Sequence, residues 1–340
     1  MPGKVLSFGE LLLRITPDAN GEWLNENLLP FFVGGAELNV ATALALWGVP
    51  SEFLTAVPDN SVTQQIEAYL DKKNIQTGNI LHRGDRLGLY YLTKGKDLKN
   101  AAVIYDRKGS SFSELNPGDI DWDKAFEGVS WFHFSAICPA INQQVADVCL
   151  EAVRNAAEKN ITISLDLNYR EKLWKYGKAP SEIMPELANY CNIIMGNIWA
   201  EHRMLGIPLD QDLSTDSGKD FLVRHSRISS EAISNQFAAC TAVANTFRFD
   251  QGQGIRYYTT LYQNKELICS TEYIAESIVD KVGSGDCFMA GIIYGFYNQQ
   301  PVKEILEFAT AAAFNKLFIN ADATTNTVEE ILETKRKYAE

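Results

Sequence analysis

"DKVGSGDCFMAG", residues 280–291, sets a dense cluster of small residues directly against a carboxylate. Gly283, Ser284 and Gly285 lead into Asp286. Phe288, Met289, Ile292, Ile293 and Phe296 then recur at helical spacing and give 285–298 one buried face. Residues this small let backbone N–H groups converge on one ligand, and a helix N-terminus adds its dipole and free amides, a combination that binds phosphate. A carboxylate beside such a cradle is out of place unless it takes a proton from an attacking hydroxyl. Cradle plus base is what phosphoryl transfer to an alcohol requires. The plainer reading is that Asp286 only caps its helix. Taken alone, the stretch leaves both readings open.

Composition narrows the field around it. The 340 residues are 46% hydrophobic and 22% charged, enough for a substantial core and too apolar for wholesale disorder. A net charge of −12 without a long basic run excludes a sequence-independent grip on nucleic acid. An anionic ligand must therefore be held by a few placed arginines, because the overall field will not attract it. The six cysteines form no CxxC pair and the four histidines are dispersed, so no zinc spacing exists. No GxxxxGK[ST] occurs, and Gly252-Gln253-Gly254 reads as a turn before a strand rather than a dinucleotide fingerprint. The N-terminus lacks a signal-peptide pattern and nothing reaches the roughly 18 apolar residues of a membrane span. A cytoplasmic location is the expectation.

Short apolar runs alternate with helical patterns. Strands are expected at 5–9, 52–57, 129–136, 161–167, 191–196, 240–247 and 255–262, and helices at 37–47, 61–73, 141–158, 181–189, 285–298 and 302–318. That alternation predicts an α/β fold with a parallel, doubly wound sheet. Residues 11–33 and 87–107 break the rhythm with hairpin-like strands, and are expected to form a small β-lid. The polar segment 209–236 gives no clear pattern. No linker rich in Pro, Gly or Ser divides the chain, so 1–340 is expected to be one domain carrying that lid.

The 280–291 stretch resembles the C-terminal signature of the ribokinase-like sugar kinases of the phosphofructokinase-B type, D-T-x-G-A-G-D-x-F-x-x-G. "GGAELNVATALALWG", residues 34–48, resembles their other signature, with Gly34, Gly35 and Asn39 in place. Both lie at the expected ends of the chain. The resemblance implies a three-layer α/β/α fold, a mostly parallel sheet, a β-lid, use of ATP with Mg2+, and a homodimer paired through the lids. Within the family the chain is most similar to 2-keto-3-deoxygluconate kinases. "GGAELNVA" has their acidic residue after the glycines, "DLNYREKLW" (166–174) is similar to their D-x-N-x-R-x-x-L-W, and "IYDRKGSS" (104–111) and "GLYY" (88–91) resemble their lid strands.

The expected reaction is ATP-dependent phosphorylation of the 6-hydroxyl of 2-keto-3-deoxygluconate. Asp286 would be the general base, and the amides of Gly283, Ser284, Gly285 and Asp286 the anion hole. Arg170 and Arg107 would hold the sugar carboxylate, since a guanidinium matches two oxygens. Gly34 and Gly35 would admit the sugar to the backbone, with Asn39 fixing that turn. Tyr90 and Tyr105 either bond sugar hydroxyls or pack within the lid. Asp322, in "NADAT", either accepts a bond from substrate or lies near the nucleotide. Asn197 begins the nucleotide-side segment "GNIWAEHRMLG", where the usual N-x-x-E is displaced. Ala200 sits at the motif position and Glu201 one residue later, a turn of ~100° on a helix. Glu201 is thus a candidate metal neighbour with a doubtful aim. Arg248 replaces the customary lysine of the nucleotide loop and either meets phosphates or lies exposed. Two alternatives stay open: a kinase of fructose or another neutral sugar, and a sugar-acid sensor without catalysis.

Overall fold

The computed structural model describes residues 2–17, 21–24, 27–92, 103–210, 212–214 and 217–338. Parts of the expected lid, 18–20, 25–26 and 93–100 with 101–102, lie outside the described residues. The chain opens with β1 (Lys4–Phe8), β2 (Leu12–Ile15), β3 (Phe31–Gly34) and α1 (Ala36–Leu46). β4 (Ser51–Leu54), β5 (Ala56–Val57), α2 (Ser61–Asp71), β6 (Ile75–Gln76) and β7 (Leu81–His82) follow. Then come β8 (Gly88–Tyr91), β9 (Ile104–Asp106), α3 (Trp122–Ala125), β10 (Val129–Ser135), α4 (Gln143–Glu158) and β11 (Thr162–Asp166). α5 (Pro180–Ala188), β12 (Ile193–Gly196), α6 (Ile198–Leu205), α7 (Lys219–Gln236), β13 (Ala242–Gln251) and β14 (Gly254–Gln263) come next. β15 (Glu266–Cys269), β16 (Tyr273–Ala275), α8 (Ser284–Tyr297), α9 (Val302–Lys316) and α10 (Val328–Tyr338) complete it.

Among the described residues the central sheet runs β15-β14-β13-β12-β11-β10-β1-β4-β6, with β16 beside β14. From β13 to β6 the pairings are parallel; β13–β14, β14–β15 and β14–β16 are antiparallel. Strands buried on both faces alternate their side chains between two cores. Leu6, Phe132, Ile194 and Val243 pack with α4, α5 and α6 on one side. Val5, Trp131, Ile193 and Ala242 pack with α1, α8 and α9 on the other. Helices thus cover both faces, as expected.

A separate four-stranded sheet, β3-β2-β8-β9, forms the lid. Its underside is apolar: Leu12, Tyr90, Leu92 and Val103 cluster with Val282, in the loop just before α8.

Three expectations change. The 52–57 run breaks at Thr55 into β4 and β5, and β5 leaves the main sheet to pair with β7. The 240–247 strand runs on to Gln251 and turns back antiparallel as β14 through Gly252, whose φ of +62° suits glycine. The ambiguous 209–236 segment contains the 18-residue helix α7.

Candidate active site

The parallel strands aim their carboxyl ends at one cavity of about 750 Å3. In open α/β sheets that is where ligands bind. The wall includes Glu10 after β1, Asp166 at the end of β11, Arg170 beyond it, Asn197 after β12, and the start of α8. Tyr90, Tyr105 and Arg107 of the lid region border the cavity from the opposite side.

Gly283 is the residue before α8, with φ +77°, and no side chain caps that helix. Asp286 therefore lies inside the first turn and is not the cap. Its carboxylate reaches across to α1 instead, where Asn39 Nδ2 donates to Asp286 Oδ2 at 2.7 Å. Asn39 Oδ1 is buried and has no hydrogen-bond partner among the described residues. Burial pushes the Asp286 carboxyl up to about 8; the Asn39 bond opposes this, and Asp166 nearby adds to it. Asp166 is itself raised to about 7 by burial, against the pull of the Asn168 amide and Arg170. Glu37, the acidic residue of the first signature, is buried and raised in the same way. It accepts from the Ser135 amide at 3.0 Å. Three carboxyls thus share one wall of the cavity, and burial leaves Asp286 and Asp166 able to gain or lose a proton near neutrality.

Arg170 borders the cavity and donates to the Tyr169 carbonyl at 3.1 Å. Arg107 borders it too, but its guanidinium is ion-paired with buried Glu10, whose other oxygen accepts from Ser110. Glu10 had no sequence signal beyond a lone charge amid the apolar run around 5–13. Gly35 lines the cavity at φ +139°, where a Cβ would strike the Glu10 carbonyl at 2.4 Å. Gly34 stands behind it, against Asp322 Oδ2.

Asp322 is not on the cavity wall. It is a buried junction between body and lid: Tyr90 Oη donates to its Oδ2 at 2.8 Å, and Arg14 Nε lies 2.7 Å from its Oδ1. Arg14, on β2, also donates to Asp280 Oδ2 at 3.0 Å. Asp280 Oδ1 accepts from the Val282 amide, so the same carboxylate fixes the loop before Gly283. Fully buried Lys316, lowered in pKa by burial, donates to the Ile319 carbonyl beside these aspartates. Tyr90 therefore spends its proton on Asp322, and its ring packs 6.3 Å from that of Tyr105.

Beyond β12, Asn197 caps α6 by accepting from the Ala200 amide. Ala200 borders the cavity and Glu201 does not. Glu201 is fully buried, accepts from Asn245 Nδ2 and Ser229 Oγ, and is pushed up to about 7 by burial. The one-residue shift has turned it into the protein, away from any ion in the cavity. Arg248 borders the cavity and donates to Ser284 Oγ at 3.0 Å.

The profile of the pfkB family of carbohydrate kinases matches residues 3–317. The chain belongs to this family. A 2-dehydro-3-deoxygluconokinase from Thermotoga maritima shares its fold with a TM-score of 0.88. The two are 30% identical over 98% of this chain and 99% of that one. A 2-dehydro-3-deoxygalactonokinase from Haloferax volcanii is 25% identical over 332 residues, 97% of this chain and 96% of its own length. Fructokinase-2 of Zea mays is 26% identical over 319 residues, 90% and 86% of the two chains. The fold is ribokinase-like and the protein is a carbohydrate kinase. For a pfkB kinase, the Asn39–Asp286 contact joins its two signatures in one hydrogen bond.

Proposed function

We propose that this kinase transfers the γ-phosphoryl group of ATP to the 6-hydroxyl of 2-keto-3-deoxygluconate, with residues 1–340 working as one catalytic domain. The observation that carries the reading is Asp286: buried, held by Asn39, and seated in the first turn of α8 beside an arginine-bearing cavity wall. Asp286 accepts the proton of the 6-hydroxyl as that oxygen attacks. The free amides at the start of α8, with its dipole, stabilise the charge on the transferring group. Arg170 binds the sugar carboxylate, with Arg107 held beside it by Glu10. Asn39 Oδ1 and the Tyr105 hydroxyl meet sugar hydroxyls, and the backbone at Gly35 allows close approach. Arg248 and Asn197 lie on the phosphate side. The apolar lid keeps water from the phosphoryl group.

Magnesium arrives with phosphates and its own waters and needs few protein ligands. That suits this site, where no group of three or more His, Cys, Asp or Glu among the described residues is placed to hold a metal ion. Asp166 and Asn197 are the side chains able to take its waters. When bound, the ion neutralises charge along the phosphates.

The relatives named for 2-dehydro-3-deoxy acids support the substrate class. A neutral sugar is the second reading, favoured by the fructokinase relative and by the engagement of Arg107 with Glu10. A non-catalytic sensor is disfavoured by family and by the buried base. ADP release with Mg-ATP across 2-keto-3-deoxygluconate, 2-keto-3-deoxygalactonate, fructose, ribose and gluconate separates these. We expect turnover on the keto-deoxy acids alone; preference for fructose or ribose sinks the carboxylate argument. Asp286→Asn should bind sugar as before while kcat falls by roughly 10² or more. Near-wild-type turnover in that variant removes Asp286 as base.

A further inference from the structure

Two cations border the cavity that residues 283–286 also line. Arg248 reaches them through Ser284 Oγ. The other is Lys281, which borders the same cavity and stands where the signature quoted above has threonine. Its carbonyl accepts from Ser284 Oγ at 3.1 Å, so its backbone is tied to the loop. Its ammonium lies 2.7 Å from Asp250 Oδ2, near the far end of β13. The lysine side chain is 16% exposed and the aspartate 55%, so a sheltered cation is paired with a partner at the rim. An ion pair with one member in water contributes little to stability, so exchanging that partner costs little. Elsewhere on the cavity wall Glu10, Glu37, Asp166, Glu171 and Asp286 stand among Arg107, Arg170, Lys172 and Arg203. A triphosphate entering such a cavity needs positive charge beyond what one turn of amides supplies.

We propose that Lys281 is a nucleotide-binding residue whose ammonium exchanges Asp250 for the non-transferred phosphates of ATP, with Asp250 as the built-in competitor that sets the affinity. This rests on reading residues 283–286 as the phosphate cradle.

Direct titration with a non-hydrolysable ATP analogue and with ADP tests it without recourse to turnover. Lys281→Met should weaken both nucleotides by roughly tenfold or more, the loss of one charged contact. Sugar KM and thermal midpoint should stay near those of the parent. Asp250→Asn should do the reverse and tighten nucleotide binding several-fold. The double variant should bind as weakly as Lys281→Met, because freeing a lysine that is absent gains nothing. Lys281→Met binding nucleotide within twofold of the parent overturns the assignment. So does weakening by Asp250→Asn, which would make the pair a prop for the loop. Full turnover in Asp286→Asn, with nucleotide affinities shifting as stated here, would remove Asp286 as base and leave Lys281 on the nucleotide.

Discussion

At Gly283 two constraints meet in one residue. Its φ of +77° disfavours any side chain, and a Cβ there would lie 1.8 Å from the Asp322 carbonyl oxygen. The left-handed step turns the next amides toward the cavity, and the close approach of residue 322 leaves room for hydrogen only. Three residues on, burial sets the chemistry of Asp286. A carboxyl raised to about 8 is largely protonated in the free enzyme at neutral pH. The kcat/KM for sugar should therefore climb as pH rises toward and through about 8, because only the ionised form accepts the hydroxyl proton. Asp166, raised to about 7, titrates with it, so the limb belongs to the group rather than to one residue. Stability runs the other way. Between the unfolded carboxylate range near ~4 and the native value, the unfolded chain releases a proton that the native one keeps. Fold stability thus falls as pH rises through that window, and Asp286→Asn should flatten part of the fall. A pH–rate profile without that rising limb would contradict the assignment of Asp286 as base. Asp286 and Asn39 were legible because each sits in a contiguous signature. Glu10 and Arg14 were not, and Asp280 opens the same signature without showing its role, because the meaning of all three lies in partners far along the chain.

Between elements, the decisive link runs from lid to anion loop. Arg14 on β2 bonds Asp280, Asp280 holds the Val282 amide, and Val282 packs under Tyr90 of β8. Two aspartates, one arginine and one lysine are balanced there almost without water. Removing one cation leaves a buried carboxylate uncompensated, at a cost on the order of 3–5 kcal/mol. Arg14→Met should lose about that much in urea unfolding, and Arg14→Lys less; parent-like stability in Arg14→Met would show that water screens the junction. Helix α7 shows why element reading failed elsewhere. Its buried side carries His225, Ser226, Ser229 and Ser230 between Leu222 and Ile233, so hydrophobic periodicity is faint although the helix is long. Ser226 and Ser229 serve the Glu201–Asn245 cluster, where Ser226 Oγ donates to Asn245 Oδ1 at 2.6 Å. The same burial of polar groups hid the helix, whereas the turn of Glu201 off the cavity follows the ~100° shift read from the displaced motif.

Across the molecule, the doubly wound sheet was legible because parallel strands buried on both faces are nearly continuous apolar runs. The antiparallel β13–β14 hairpin looks the same in sequence, so its direction was not. Among the described residues no helix is long and apolar enough to cross a membrane. The lid carries exposed Leu28, Phe31 and Ile104 at 71%, 60% and 61%. A second copy of the chain is the occupant we propose for that face, since lid strands have free edges and apolar patches of this kind seek cover. Sedimentation should give a dimer that Phe31→Asp with Ile104→Asp dissociates; a monomeric parent removes the idea.

The lid also has no stretch of chain to call its own. β2 pairs with β8 in parallel, Leu12 with Gly88 through Ile15 with Tyr91, and residues 16–87 between them build β3, α1, α2 and the near edge of the main sheet. Parallel partners require such a crossover. A genetic exchange with a relative anywhere in 16–87 would join one half of a lid to another protein's second half. Arg14 would then travel apart from Tyr90 and from the aspartates that receive them both. Lid and cavity wall are therefore coupled along the chain, and a single substitution leaves standing the contacts that an exchange inside 16–87 would divide.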